Sequence, residues 1–274
     1  MRRGIRLGGP LTLVLALMVA GVANGATLSR TGAGVTADYT YTVDPSFGTA
    51  GWPTTQDQSL TVTAPGRPVQ TFDTAALKFQ VAENQIDPAT ALVVRDITGD
   101  GDPEILLTTY WGGAHCCYEA KVVWWSPASG RYVLTSQFWG NSFPRLQKLN
   151  ADRVTDFVGV DDRFAYGFNA SYASSTFPGR VWNFQNGRFV IVTRKFPAVG
   201  VRTMNQAWRN YVLLRRDSPR ERVNALAAYL AGASDAGVKY RRAAWKRVAN
   251  AERAHPAVLR GLKRGVVRLG YAVG

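Results

Sequence analysis

The sequence predicts a mainly β fold of antiparallel strands followed by a C-terminal α-helical segment. Three observations predict it. From Thr27 to Phe196 the chain is rich in β-branched and aromatic residues, broken at short intervals by Gly, Pro, Asn and Asp, the pattern of short strands and turns. Within that region one unit occurs twice. After Arg202 the apolar spacing turns helical, and the charge changes with it.

The N-terminus reads as an export signal. Arg2, Arg3 and Arg6 precede an uncharged apolar run from Pro10 to Ala23, and Ala23 and Gly25 place small residues before a cut after Gly25. Residues 1–25 are therefore expected to be a cleaved signal peptide, since the run is short for a helix crossing about 30 Å of hydrocarbon. An uncleaved anchor is the alternative. No later segment is long and apolar enough to span a membrane, so no membrane span is expected after cleavage. The expected location is secreted, extracellular or in the cell envelope.

Residues 26–200 are expected to form the β domain. Representative strands are Ser59–Thr63, Lys121–Trp125, Tyr132–Thr135 and Arg188–Thr193. The repeat within it pairs the segment Asp96–Glu104 with Lys148–Asp156, offset by 52 residues. It also pairs the turn Gly130-Arg131-Tyr132-Val133 with Gly187-Arg188-Phe189-Val190, offset by 57. This gives two units, 90–140 and 141–196. A third, loop-less copy is open for Thr27 to Gln80, where Thr61–Val69 reads as a similar hairpin.

The first repeat loop carries legible chemistry. Asp96, Thr98, Asp100 and Glu104 occupy positions 1, 3, 5 and 9, Gly101 at position 6 allows a sharp turn, and the carbonyl of Asp102 falls at position 7. A hard cation such as Ca²⁺ takes six to eight oxygen ligands of this kind. An Asp/Gly-rich turn that binds nothing is the plainer reading. In the second loop Asn150, Asp152 and Asp156 keep positions 3, 5 and 9, but Lys148 and Arg153 replace the first Asp and the Gly. A lysine ammonium there would repel a cation. One metal site is expected, not two.

The loop D-x-T-x-D-G-x-x-E leading into a strand, with its degenerate copy, resembles FG-GAP (VCBS, integrin-alpha-type) repeats. The resemblance covers roughly residues 90–196. It implies propeller-blade-like repeats whose loops bind calcium between strands. Two or three blades are fewer than a closed ring needs, which leaves an open blade array, a sandwich or an oligomer that completes the ring. More narrowly, Gly112-Gly113-Ala114-His115-Cys116-Cys117 and Asp161-Asp162-Arg163-Phe164-Ala165-Tyr166 resemble a family of exported bacterial proteins with no established activity.

Cys116 and Cys117 are the only cysteines and are adjacent. In an oxidising compartment they are candidates for a vicinal disulfide. Paired buried thiols and a soft-metal site with His115 are the other readings. No catalytic signature is legible. There are two histidines in the chain and no G-x-S-x-G elbow. The pair Asp161-Asp162 reads as a turn with a local Asp–Arg hydrogen bond to Arg163.

Binding surfaces are suggested by aromatics and by charge. Tyr110, Trp111, Tyr118, Trp124, Trp125, Trp139 and Phe143 crowd the first repeat. In Trp124-Trp125 one ring faces each side of a sheet, so one is free to stack on a sugar or peptide. Residues 26–200 hold 14 Lys and Arg against 15 Asp and Glu, whereas residues 201–274 hold 16 against 4. The basic character therefore belongs to the tail, a basic α-helical domain over 201–274. It suits anionic cell-envelope polymers or glycans rather than nucleic acid. In that tail Ser218-Pro219-Arg220-Glu221 reads as a capping box that starts a helix. The expected function is a calcium-binding, non-enzymatic binding or adhesion module. An extracellular hydrolase or redox protein is the alternative.

Overall fold

The computed structural model describes residues 24–44, 54–73, 91–110 and 117–274. The expected leader, apart from Asn24 and Gly25, lies outside the described residues, as do His115 and Cys116.

Strand alternation is cleanest in β2 (Val35–Asp44). Val35, Ala37, Tyr39 and Tyr41 are buried, while Thr36, Asp38, Thr40 and Thr42 point to the other side. β1 (Asn24–Gly32), β2, β3 (Thr54–Thr63) and β4 (Gln70–Asp73) pair in chain order as an antiparallel meander. The β1–β2 turn, Ala33-Gly34, has φ of 47° and 82°, the doubly left-handed turn whose twist suits a hairpin. On the outward face of this sheet the hydroxyls pair across strands: Thr31 with Thr36 at 2.9 Å, Thr40 with Ser59 at 2.7 Å and Thr61 with Thr71 at 3.0 Å.

Two more four-stranded meanders follow. The second sheet contains β5 (Leu92–Arg95), β6 (Glu104–Tyr110), β7 (Tyr118–Ser126) and β8 (Arg131–Gly140). The third contains β9 (Arg145–Gln147), β10 (Asp156–Val160), β11 (Gly179–Gln185) and β12 (Arg188–Ile191). Asn186-Gly187 closes the last hairpin with φ of 50° and 73°.

The three sheets stack face to face. Tyr39, Leu60 and Val62 of the first meet Ile105, Leu107 and Val123 of the second. The opposite face of the second sheet sends Leu106, Ala120, Val122 and Trp139 against Phe157, Trp182 and Phe184 of the third. Ile105 and Leu107 thus serve one core and Leu106 the other, which is why β6 is buried along its whole length and reads Ile-Leu-Leu over 105–107 without polar alternation. The far face of the third sheet carries Val181, which clusters with Val192 and Val199.

Val199 belongs to the helix α1 (Pro197–Asp217). α2 (Arg222–Ala236), α3 (Val238–Ala251) and α4 (Pro256–Arg268) complete the tail. The fold is mainly β with a C-terminal helical segment. α2 is buried on every side from Asn224 to Ala236, as its alanine-rich sequence allows.

The capping-box reading of Ser218–Glu221 is corrected, because α2 begins only at Arg222. Ser218 spends its amide on the carbonyl of Leu214, closing α1 at 2.8 Å. The Glu221 carboxylate accepts from the Ser171 amide at 3.2 Å and is held mainly by Ser174 and Ser171, with Ser218 its weakest partner. On α1 Val212 is exposed, and Ala207 with Tyr211 forms the buried stripe.

α1 and α2 cross at two glycines. A Cβ on Gly200 would lie 2.5 Å from the Gly232 carbonyl oxygen and 2.6 Å from the Ala236 nitrogen, both backbone atoms that cannot rotate away. Gly200→Ala is therefore expected to destabilise the protein by about 2–3 kcal/mol through overpacking. A urea midpoint equal to that of the parent protein would show that the helices part without cost.

Candidate metal loop and the adjoining cleft

The loop between β5 and β6 is folded by its own carboxylates. Asp96 accepts the Gly99 amide at 2.6 Å on one oxygen and the Gly101 amide at 2.9 Å on the other. Both glycines lie at positive φ, 84° and 97°, where a side chain would be strained. Asp100 accepts the Asp102 amide at 2.8 Å. Glu104 reaches back from the start of β6 to accept the Ile97 amide at 2.8 Å and the Thr98 hydroxyl at 3.2 Å. That hydroxyl is also 3.5 Å from Asp96 Oδ1, so the oxygens of Asp96, Thr98 and Glu104 converge.

Asp102 takes no part in this convergence through its side chain. Arg67, in the turn before β4, donates to its two carboxylate oxygens at 3.0 and 2.8 Å, a bidentate pair. Only its carbonyl remains for the loop, the role expected from position 7. Glu104 is buried. Burial pushes its pKa up to about 7, against the opposing pull of the Ile97 amide, and the nearby charge of Asp100 adds to the rise. An all-oxygen donor set of this kind fits a hard cation. The convergence reaches three side chains, only two of them carboxylates. No group of three His, Cys, Asp or Glu gathers as a metal-binding set among the described residues.

The second loop repeats one of these ties. Asp156 accepts the Leu149 amide at 2.8 Å, matching the bond from Ile97 to Glu104. Lys148 donates to the Arg153 carbonyl at 3.2 Å, so its ammonium ties a loop carbonyl as a bound cation would. The two loops lie side by side. The Thr155 amide donates to the Ile97 carbonyl at 2.9 Å, and Arg95 donates to the Thr155 hydroxyl at 3.2 Å. The guanidinium of Arg153 stands 3.9 Å from Asp96 Oδ2.

A cleft of about 520 Å³ opens beside the first loop. Asp100, Asp102 and Glu104 line it together with Trp124 and Trp125. The two tryptophans do serve opposite faces of the sheet. Trp125 packs edge-on against Tyr132 with centroids 5.2 Å apart, and Trp124 against Phe184 at 6.5 Å. Both rings nevertheless border the one cleft, because they sit at the end of β7 where the sheet runs out. Arg67 lies 4.5 Å over the Trp125 ring, a cation–π contact that links the tryptophan to Asp102. Of the other aromatics singled out, Tyr110 and Trp139 are buried, Tyr118 and Phe143 are half-buried, and Trp111 lies outside the described residues.

Cys117 is buried before β7 and disulfide-bonded. Cys116, the other cysteine of the sequence, lies outside the described residues. Asp161 and Asp162 point apart. Asp162 accepts from Asn141. Asp161 does pair locally with Arg163, at 2.8 and 2.7 Å. It also holds two distant partners that sequence reading missed, Arg180 at 2.9 Å and the Tyr271 hydroxyl at 2.8 Å. Contacts over 19 and 110 residues leave no local signal.

No family model matches the chain. No solved structure matches it. The chain is 37% identical over 108 residues to a probable thylakoid lumen protein of Synechocystis sp.; the match covers 39% of this chain and 32% of that protein. It is 30% identical over 77 residues to an uncharacterized protein of Sinorhizobium fredii, covering 28% of this chain and 12% of the relative. The chain thus spans about a third and about an eighth of the length of these curated relatives. Among the described residues no helix is long and apolar enough to cross a membrane.

Proposed function

We propose that the protein is a translocated, non-cytoplasmic binding module of FG-GAP/VCBS-like β repeats. It takes one Ca²⁺ at Asp96–Glu104 and holds a glycan of the cell envelope in the cleft beside that loop. The observation that carries the reading is the cleft itself, where loop oxygens and two tryptophan rings border one space. Aromatic rings offer a stacking surface for a sugar. The carboxylates of Asp100 and Glu104 supply hydroxyl acceptors, and Ca²⁺, when bound, would offset the crowding of Glu104 by Asp100. Export is supported by the N-terminal pattern and by the lumenal location named for the Synechocystis relative. The basic tail supports an anionic surface nearby, since its charge would hold the module against acidic polymers.

Calcium titration followed by calorimetry or terbium luminescence tests the reading. One ion per chain is expected, with an affinity of about 10⁻⁴–10⁻³ M, the range of extracellular modules. Asp100→Ala is expected to abolish the signal. A stoichiometry of two, or binding that survives Asp100→Ala, would overturn the assignment.

A further inference from the structure

A second polar site lies where the last strands meet the helices. Arg163 comes from the turn after β10, Arg180 from β11, Arg194 from the turn after β12, Asp235 from the last turn of α2, and Tyr271 from the segment after α4. With the exception of Asp161 behind them, these are the charged and aromatic walls of a cavity of about 290 Å³. Asp161 is fully engaged by Arg163, Arg180 and Tyr271.

Two groups at this cavity remain unfilled. Arg180 and Asp235 are each only 7% exposed. Yet Arg180 Nε and Asp235 Oδ2 have no hydrogen-bond partner among the described residues. The cation closest to the other Asp235 oxygen is Arg194, at 3.8 Å, beyond hydrogen-bond distance. Buried polar atoms of this kind are rare, because each forfeits its hydration without replacement. Asp235 also stands at the C-terminal end of α2, where the helix dipole disfavours a negative charge. Its placement opposes stability on two counts, which points to a role in binding.

We propose that this cavity binds an oxyanion that carries its own hydroxyl, of the class of monohydrogen phosphate. Three guanidinium groups against two carboxylates leave the site positive, which selects an anion over a neutral zwitterion such as an amino acid. Arg180 Nε and Arg194 donate to the unprotonated oxygens. Asp235 accepts the P–OH. Sulfate has the same shape and no proton at neutral pH, so the Asp235 carboxylate repels it. Burial pushes Asp235 up to about 6, with Arg180 and Arg194 pulling the other way, in keeping with a carboxyl placed to share a proton.

Calorimetry on the full chain in calcium-free buffer at neutral pH tests this with inorganic phosphate, sulfate and glycine. Phosphate is expected to bind one to one, with sulfate at least about tenfold weaker and glycine silent, the loss expected when a buried charged acceptor lacks its donor. Asp235→Asn should bring phosphate and sulfate within about threefold of each other. Arg194→Gln, at a side chain 66% exposed, should weaken phosphate about tenfold without disturbing the core. Should Asp235→Asn fail to fold, Arg194→Gln decides alone. Equal heats for sulfate and phosphate would mean general screening by the basic tail and overturn the site. So would an absence of phosphate binding, a response to glycine in its place, or an unchanged Arg194→Gln. Methyl phosphate at mildly acidic pH, where a monoester keeps its P–OH, separates the sources. Binding assigns a phosphomonoester terminus, and exclusion alongside phosphate binding assigns the free ion.

Discussion

Replacing Asn224 with alanine is expected to destabilise the protein by about 2–5 kcal/mol, as two buried backbone groups, the Phe164 carbonyl and the Thr176 amide, lose their partner at about 1–3 kcal/mol each, while the Gly167 carbonyl keeps the Ala170 amide at 3.1 Å. Asn224 is wholly buried in the first turn of α2. Its amide donates to the carbonyls of Phe164 at 2.9 Å and Gly167 at 3.0 Å, and its oxygen accepts the Thr176 amide at 2.6 Å. All three belong to the irregular excursion between β10 and β11, which has no strand neighbour to satisfy it. That excursion also holds Tyr166, Phe168 and Asn169 at φ of 56°, 53° and 63°, positions costly for residues with a side chain. One side chain therefore fixes a strained loop to the helical core. Urea denaturation measures the loss, and amide exchange over residues 161–178 should accelerate before global unfolding. A change below about 1 kcal/mol, the worth of a single net hydrogen bond, would mean that the loop stands without its tie.

Asp161→Asn is expected to be comparably severe, about 3–5 kcal/mol, because it strands a buried positive charge on Arg180. Burial disfavours the charged form of Asp161. The Arg163 hydrogen bond, the charge of Arg180 and the Tyr271 hydroxyl more than offset that and hold its pKa below the usual carboxylate range. The sign of the pH dependence follows. A carboxylate with a depressed folded-state pKa contributes stability that is complete above its unfolded value of about 3.9 and is lost as pH falls through the lower folded value. The gap between parent and Asp161→Asn should therefore be widest near neutrality and shrink below about pH 4. Thermal denaturation across that range reads it directly. A gap that stays constant into acid would assign the loss to packing instead of charge.

Which parts of this molecule announce themselves in sequence depends on the range of the forces involved. Strand alternation in β2, the Asn186-Gly187 hairpin and the switch to helical spacing after the third sheet are local properties, and local rules read them. The convergence of Asp96, Thr98 and Glu104 is equally local, since nine consecutive residues carry it. The misread capping box shows the limit. Ser218 has the right neighbours, but its amide is already taken by Leu214 and Glu221 is drawn to Ser171, a competitor 50 residues away. Arg67 capturing Asp102, and Arg180 and Tyr271 closing on Asp161, arise only when the sheets and helices assemble. The unfilled Asp235 is less legible still, because its sequence context is an alanine-rich helix in which a single acid looks like surface.

The threonine face of the first sheet gives the molecule an end. Each interior sheet offers a dry apolar face to its neighbour, and a chain built only of such faces would invite further layers without limit. Threonine keeps the β-branching that favours an extended backbone, while its hydroxyls, paired across Thr31–Thr36, Thr40–Ser59 and Thr61–Thr71, keep the surface wet. The strand geometry is thus retained and the adhesion withheld, as in the polar terminal units that keep repeat arrays soluble. With the helices covering the opposite end, the stack is a counted one. Its size is written in side-chain chemistry at the two boundaries and owes nothing to the repeat within.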